Sequence, residues 1–329
     1  MTGRPDAASP SPRGPAPAPA PRSEAVRRAV ALLAARPPLL VVTDFDGTLA
    51  PISPDPLGAA IEPAGRQAIR RLARLAESRP DRLIVVVLSG RMALDVAGRV
   101  RVGGVRYMGN HGLEGGSLPR RGRAAGLDVR VEPALARYVE PAAAIARAVV
   151  ERLGRPDWLF VELKGPSVAF HFRQARDHDA AREDILRAIE AAERELGATG
   201  LVQFEGRKIV ELRPEGAGGK GHAVARLLER HRPGAAIVLG DDVSDAEAFR
   251  TIVAARDRGE LEALAIGVHA AGETPAEVAA AADLLLAAPR DAGRVLLALA
   301  RALEREAGGR EAGGREAGGR EAGWPRSSG

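Results

Sequence analysis

Two aspartates, a glycine and a threonine follow the apolar run Leu39–Thr43 directly: Asp44, Asp46, Gly47 and Thr48. Side chains two apart in an extended segment point the same way, so Asp44 and Asp46 can converge on one small volume. Phe45 between them points away and can pack. Gly47 lets the chain turn at once and lets an anion approach the backbone. Three other stretches carry groups of the same kind. Leu83–Leu88 ends in Ser89-Gly90-Arg91, a hydroxyl with free amides nearby. Gly218-Gly219-Lys220-Gly221 opens a helical stretch and puts one lysine at a helix N-terminus, where anions bind favourably. Ala235–Leu239 ends at Gly240-Asp241-Asp242, with Asp245 and Glu247 following. Taken singly, these are a turn, a solvated charge and a helix cap. Taken together they are several carboxylates, one ammonium and one hydroxyl. Clustered carboxylates repel unless a hard divalent cation sits among them, and Mg²⁺ suits oxygen ligands.

Those groups need strands that end at one edge. Short apolar runs at Leu39–Thr43, Leu83–Leu88, Ala235–Leu239, Leu264–Val268 and Asp283–Leu286 have the length and continuity of parallel strands buried on both faces. Helical stretches are expected at Glu62–Ser78, Lys220–Arg232, Ser244–Ala255 and Arg290–Glu304, and Ser244 with Glu247 forms a capping-box pattern. The alternation predicts an α/β fold with a doubly wound, mostly parallel, Rossmann-like sheet, whose ligands bind outside the carboxyl ends of the strands. The middle differs. Strand-like runs Trp158–Lys164 and Ser167–Arg173 form one hairpin, and Leu201–Glu205 and Lys208–Arg213 a second. Helical stretches Pro133–Leu153 and Asp179–Leu196 sit before and between them. This reads as an inserted α+β cap over residues 113–214, with hinges near Leu113 and Pro214. The core then comprises residues 24–112 and 215–305.

The remaining composition mostly excludes. The 329 residues hold no cysteine, which removes disulfide scaffolds, thiolate metal sites and thiol nucleophiles. Aromatics are 3% of the chain, too few for a base-stacking strand binder. The net charge of +5 comes from interspersed arginines, with no basic cluster, so no nucleic-acid partner is expected. Apolar runs fall far short of the ~20 residues that span a bilayer, so no membrane partner is expected. Residues 1–23 carry seven prolines, no apolar core of a leader, and are expected to be disordered. Residues 306–329 contain three EAGGR repeats and are expected to form a flexible tail. A cytoplasmic location is the corresponding expectation.

The motifs DFDGT at Asp44–Thr48, Ser89, Lys220 and GDDVSD at Gly240–Asp245, in that order, resemble the haloacid dehalogenase superfamily of phosphohydrolases. The resemblance implies a haloacid dehalogenase core and the following roles. Asp44 is the nucleophile that becomes an aspartyl-phosphate, and Asp46 is general acid and then general base. Ser89 and Lys220 hold phosphoryl oxygens. Mg²⁺ is bound by Asp44, the backbone carbonyl of Asp46 and Asp241, with Asp242 and Asp245 in support.

Three stretches outside those motifs, YMGNHGLEG at Tyr107–Gly115, WLFVELKGPSVAFHFR at Trp158–Arg173 and EGRKIVELRP at Glu205–Pro214, resemble the trehalose-6-phosphate phosphatase family. That implies a small-molecule substrate, trehalose 6-phosphate, the last step of trehalose biosynthesis and a separate trehalose-phosphate synthase upstream. The same segments supply groups suited to sugar hydroxyls: Glu114, Lys164, His171, Arg207, Lys208, Glu211 and Arg213, beside Asn110. Positions two apart share a strand face, so Glu162 pairs with Lys164 and Glu211 with Arg213. With Asp44, Phe45, Asp46, Ser89, Gly90 and Arg91 they form the expected substrate site. His111 is expected to orient Asn110 or the backbone. Two positions depart from the family pattern: Leu163 stands where Asn is usual, and Ala246 where Glu is usual. Sucrose phosphate or a glycosyl-phosphoglycerate are alternative substrates, and a sugar-phosphate sensor without turnover is an alternative of another class.

Overall fold

The computed structural model describes residues 29–31, 33–53, 58–197, 199–206, 208–216, 219–269 and 274–317. The segment expected to be disordered, residues 1–23, lies outside them, as do Arg207, Gly218 and residues 318–329.

The strands, numbered in chain order, are β1 (Leu39–Thr43), β2 (Leu83–Leu88), β3 (Val105–Gly109), β4 (Glu114–Leu118), β5 (Arg130–Val131), β6 (Phe160–Leu163), β7 (Val168–His171), β8 (Leu201–Gly206), β9 (Ile209–Pro214), β10 (Ala235–Gly240), β11 (Glu262–Val268) and β12 (Leu284–Leu286). The main helices are α1 (Pro63–Ser78), α2 (Ala93–Val100), α3 (Val139–Arg152), α4 (His178–Leu196), α5 (Gly219–His231), α6 (Val243–Asp257), α7 (Ala276–Ala281) and α8 (Pro289–Ala317). Eight strands form one sheet in the order β12-β11-β10-β1-β2-β3-β4-β5. Pairing is parallel from β12 to β3 and antiparallel for β3–β4 and β4–β5. The mostly parallel α/β sheet is the one the apolar runs require.

Why β1 is central follows from its side chains. Leu39 and Val41 enter one core with Ile69 and Leu72 of α1. Leu40 and Val42 enter the other with Val224 of α5 and Phe249 of α6. A run apolar at every position is stable only where both faces are covered. On α1 the buried residues Gly65, Ala68, Ile69, Leu72 and Ala73 follow the spacing of one helical face. The chain leaves β1 for β2 on one side and reaches β10 on the other, so a crevice opens at the carboxyl end of β1.

The second sheet is antiparallel, order β6-β7-β9-β8. Val168, Phe170, Phe172, Val210 and Leu212 pack on Ile145 and Val149 of α3 and Ile185 and Ile189 of α4. Each large apolar side chain so buried contributes about 1.5–3 kcal/mol. The alternate positions form the sheet's other face.

Three expectations need correction. β4 and β5 pair into the large sheet, so the inserted module begins after Val131 rather than at 113. Leu113 nevertheless packs with the module's own core. The capping box on α6 is Asp242 with Asp245, not Ser244 with Glu247, because the helix starts one residue earlier than the apolar pattern. α8 continues through two EAGGR repeats to Ala317, where a flexible tail was expected from 306. Each repeat places Glu four residues before Arg, a spacing that favours a helix already nucleated upstream. Among the described residues no helix is long and apolar enough to cross a membrane.

Candidate active site

The Asp44 amide donates to the Leu239 carbonyl at 2.9 Å, so the strand geometry holds one residue past β1 and delivers its carboxylate into the crevice. Phe45 is fully buried, and its carbonyl accepts from Leu49 and Ala50 at 2.9 and 2.8 Å, which anchors the turn. Gly47 has φ +72°, and a Cβ there would overlap the Asp241 carboxylate. We expect Gly47→Ala to destabilise the fold by about 1–3 kcal/mol and to displace Asp241. Denaturant unfolding would check the first, metal titration the second, and wild-type values for both would refute it.

Lys220, in the first turn of α5, lies among three carboxylates from two other segments. Its Nζ is 2.9 Å from Asp44 Oδ1, 2.8 Å from Asp245 Oδ1 and 3.8 Å from Asp242 Oδ1. Burial works against the ammonium, but Asp245, Asp44 and Asp242 outweigh it and hold Lys220 charged. Asp245 Oδ2 accepts from the amides of Asp241 and Asp242 at 3.1 and 3.2 Å. Asp242 turns away to cap α6, accepting from the Asp245 amide at 2.9 Å and from Ser244 Oγ at 2.7 Å. Thr48 Oγ1 donates to Asp241 Oδ1 at 3.3 Å.

Asp44, Asp241 and Asp245 each bring an oxygen within 4.8 Å of the others. Burial, with Asp241 and Asp242 adding to it against the pull of Lys220, raises Asp44 to about 7. Burial, Asp245 and Asp242 raise Asp241 to about 7 as well. Asp245 is also pushed up, first by burial. Burial works upward on Asp242 too, but Lys220 and the bonds with Asp245 and Ser244 hold it well below the usual range. Three buried carboxylates with one ammonium are short of positive charge, and their oxygens fit a hard divalent cation. Asp242 lies outside this group of three.

Ser89 follows β2, and its Oγ accepts from the Arg91 amide at 3.1 Å. Arg91 chelates Asp46 through Nε at 2.6 Å and a terminal nitrogen at 2.8 Å, and bonds Asp95 at 3.1 Å. Its guanidinium also lies 5.9 Å from the Phe45 ring centre. Sequence reasoning gave Arg91 to the substrate and overlooked Asp95. The i, i+4 spacing of Arg91, Asp95 and Arg99 was the available signal. Asn110 and His111 have φ of +49° and +57°. Both polar atoms of the buried Asn110 amide lack a partner among the described residues. The His111 ring lies against Gly90, where a Cβ would sit 2.9 Å from it. Burial, then Lys220 and Arg213, lower His111 to about 4, so it is a neutral wall between the two sheets' charged groups.

On the module side, Arg213 donates to Glu211 at 2.6 Å, and Lys164 lies 3.8 Å from Glu211 and 3.6 Å from Glu162. His171 Nε2 is 3.1 Å from Glu162. Burial works upward on Glu211, but Arg213 and Lys164 hold it below its ordinary value. Lys208 sits at the tip of the β8–β9 hairpin, its carbonyl accepting from the Phe172 amide at 3.1 Å. Glu114 accepts from the Ala93 amide at 2.8 Å and so caps α2.

The family model for trehalose-phosphatase matches residues 42–277, nearly the whole of both sheets. The chain belongs to the trehalose-phosphatase family. Among its relatives, the trehalose-phosphate phosphatase of Mycobacterium marinum is 35% identical over 240 residues, covering 70% of this chain and 55% of that protein. An uncharacterized glycosyl hydrolase of Mycobacterium tuberculosis is 35% identical over 229 residues, 67% of this chain and 16% of that protein. The chain therefore spans about half, or much less, of the length of these curated relatives. The Aspergillus fumigatus trehalose-6-phosphate phosphatase structure superposes with a TM-score of 0.58 at 22% identity, covering 84% of this chain and 97% of that one. It shows the same fold.

Proposed function

We propose that the chain is a phosphoric monoester hydrolase that releases phosphate from trehalose 6-phosphate, leaving trehalose. The observation that carries this is the buried Asp44–Lys220–Asp241–Asp245 cluster inside the segment matched by the trehalose-phosphatase family. The module after Val131 is the proposed cap, and its Glu162, Lys164, Glu211 and Arg213 are the proposed sugar contacts.

In the proposed reaction an Asp44 oxygen attacks phosphorus, and the ester oxygen leaves as Asp46 gives it a proton. Asp46 then takes a proton from water, whose oxygen attacks the aspartyl-phosphate, and Asp44 returns as a carboxylate with free phosphate. A carboxylate nucleophile splits one hard hydrolysis into two easier steps. Lys220 and Ser89 hold phosphoryl oxygens. Arg91 fixes the orientation of Asp46 through its two bonds. Asp44, Asp241 and Asp245 would hold a divalent cation such as Mg²⁺, which would neutralise phosphoryl charge when bound. The unpartnered Asn110 amide supports a polar ligand at the boundary between the sheets. Asp242 serves by capping α6, and Glu114 by fixing α2, next to Ser89 and Arg91.

Phosphate release with Mg²⁺ from trehalose 6-phosphate, sucrose phosphate and a glycosyl-phosphoglycerate tests the reading. The first should exceed the others in kcat/KM by at least tenfold; a preference for either of the others would reassign the substrate. A separate synthase upstream and a cytoplasmic setting complete the proposal.

A further inference from the structure

Asp46 depends on one neighbour for its aim. Both of its carboxylate oxygens accept from Arg91, at 2.6 and 2.8 Å, and among the described residues they have no other hydrogen-bond partner. Two parallel bonds fix the carboxylate against the guanidinium. They do not fix the pair against the rest of the site, because both groups sit on side chains with free torsions. Arg91 itself stands outside α2, one residue ahead of the N-cap Met92.

The remaining edge of the guanidinium supplies the missing point. Its Nη1 donates to Asp95 Oδ2 at 3.1 Å. Asp95 is held in turn by Arg99, whose Nε donates to Oδ1 at 2.9 Å and to Oδ2 at 3.0 Å. Arg99 Nη1 then donates to the carbonyl of Ala59, in the segment ahead of α1, at 3.1 Å. Four charged side chains thus connect the turn after β1 to a backbone carbonyl ahead of α1. The two arginines are largely withdrawn from water, 18% and 12% exposed. Burial works against the Asp95 charge, but Arg99 and then Arg91 hold its carboxyl below the ordinary value. A surface i, i+4 ladder contributes little and ends in solvent. This one ends on the carboxylate that moves a proton in the proposed reaction.

We infer that Asp95 is a positioning residue for the proton transfer made by Asp46, acting through Arg91. This rests on the proposed hydrolase reading. Without Asp95, Arg91 still chelates Asp46 but has lost its own fixed point. The Asp46 carboxyl then no longer meets the ester oxygen at one place. General acid–base catalysis supplies about 10²- to 10⁴-fold only when the group is within hydrogen-bond reach, so misplacement forfeits part of it.

The test compares two esters that differ in their need for that proton. The alkoxide of trehalose 6-phosphate leaves poorly unless it is protonated. The phenolate of p-nitrophenyl phosphate leaves without a proton. The quantity is kcat/KM, which covers the steps up to formation of the aspartyl-phosphate. For Asp95→Ala we expect a fall of about thirtyfold on trehalose 6-phosphate and of less than threefold on the aryl ester. Asp95→Asn keeps the shape and one acceptor oxygen, and should fall about fivefold on the sugar ester alone. Circular dichroism checks that each variant is folded. Equal falls on both esters, a larger fall on the aryl ester, or wild-type values on both would overturn the inference and leave the hydrolase reading standing. Loss of the fold in both variants would make Asp95 a structural residue and overturn it too. A wild-type protein that releases no phosphate from trehalose 6-phosphate would remove the substrate reading and this inference together.

Discussion

Asp44→Asn is expected to abolish phosphate release, lowering kcat by about 10⁴- to 10⁶-fold, the scale seen when a covalent nucleophile is removed. Equal release by variant and wild type would end the assignment. The same substitution should leave a second signature in stability. Asp44 and Asp241 are raised from 3.8 to about 7 by burial and by their acidic neighbours. Between about pH 4 and 7 the folded protein therefore binds more protons than the unfolded chain, and stability falls as pH rises through that window. Without a divalent cation, Tm should drop from pH 5 to pH 7.5, and Mg²⁺ should restore more of it at the higher pH. Asp44→Asn should flatten the decline. A metal-free Tm that rises over the same window would contradict the charge arrangement described for the site.

The second large effect is on the fold itself. Lys220 is 2% exposed and is the shared cation of Asp44, Asp245 and Asp242. Removing one partner of a buried charge set leaves the others uncompensated, which costs about 3–5 kcal/mol. Lys220→Met should lose that much in denaturant unfolding at pH 7.5 without metal, together with activity. At pH 5 the loss should shrink, since Asp44 and Asp241 then hold protons in the folded state. Lys220→Arg should not restore activity, because a planar fork does not fit where a compact ammonium sits. A loss under 1 kcal/mol at both pH values would show that the carboxylates do not depend on this lysine.

Five of the six parallel strands of the core were legible as short continuous apolar runs, while β3, whose VRYMG is interrupted by an arginine, was not among them. β1 and β2 match their expected limits. β4 was not legible. Its sequence EGGSL has neither β-branched residues nor alternation, and it is a strand only because β3 is there to pair with it. Its omission shifted the boundary of the inserted module. At the site, residue types revealed which groups gather but not how they divide the work. Asp242 and Asp245 look equivalent in GDDVSD, yet one caps a helix and the other faces Lys220. Arg91 likewise reads as an anion binder until the fold places Asp46 beside it. Such choices depend on contacts between distant segments, which spacing along the chain does not encode. Glu211 and Arg213 were legible as a pair because strand alternation alone puts them on one face.

The return from the cap to the core is short. Glu211 is on the last cap strand and Lys220 is on the first helix after it, nine residues apart in the chain. A graft of a relative's cap onto this core must therefore be joined within the eight positions between them. Any shift in that seam moves the lysine as well as the strand. New sugar preferences are more readily obtained by exchanging side chains on the cap sheet's other face than by recombining whole domains.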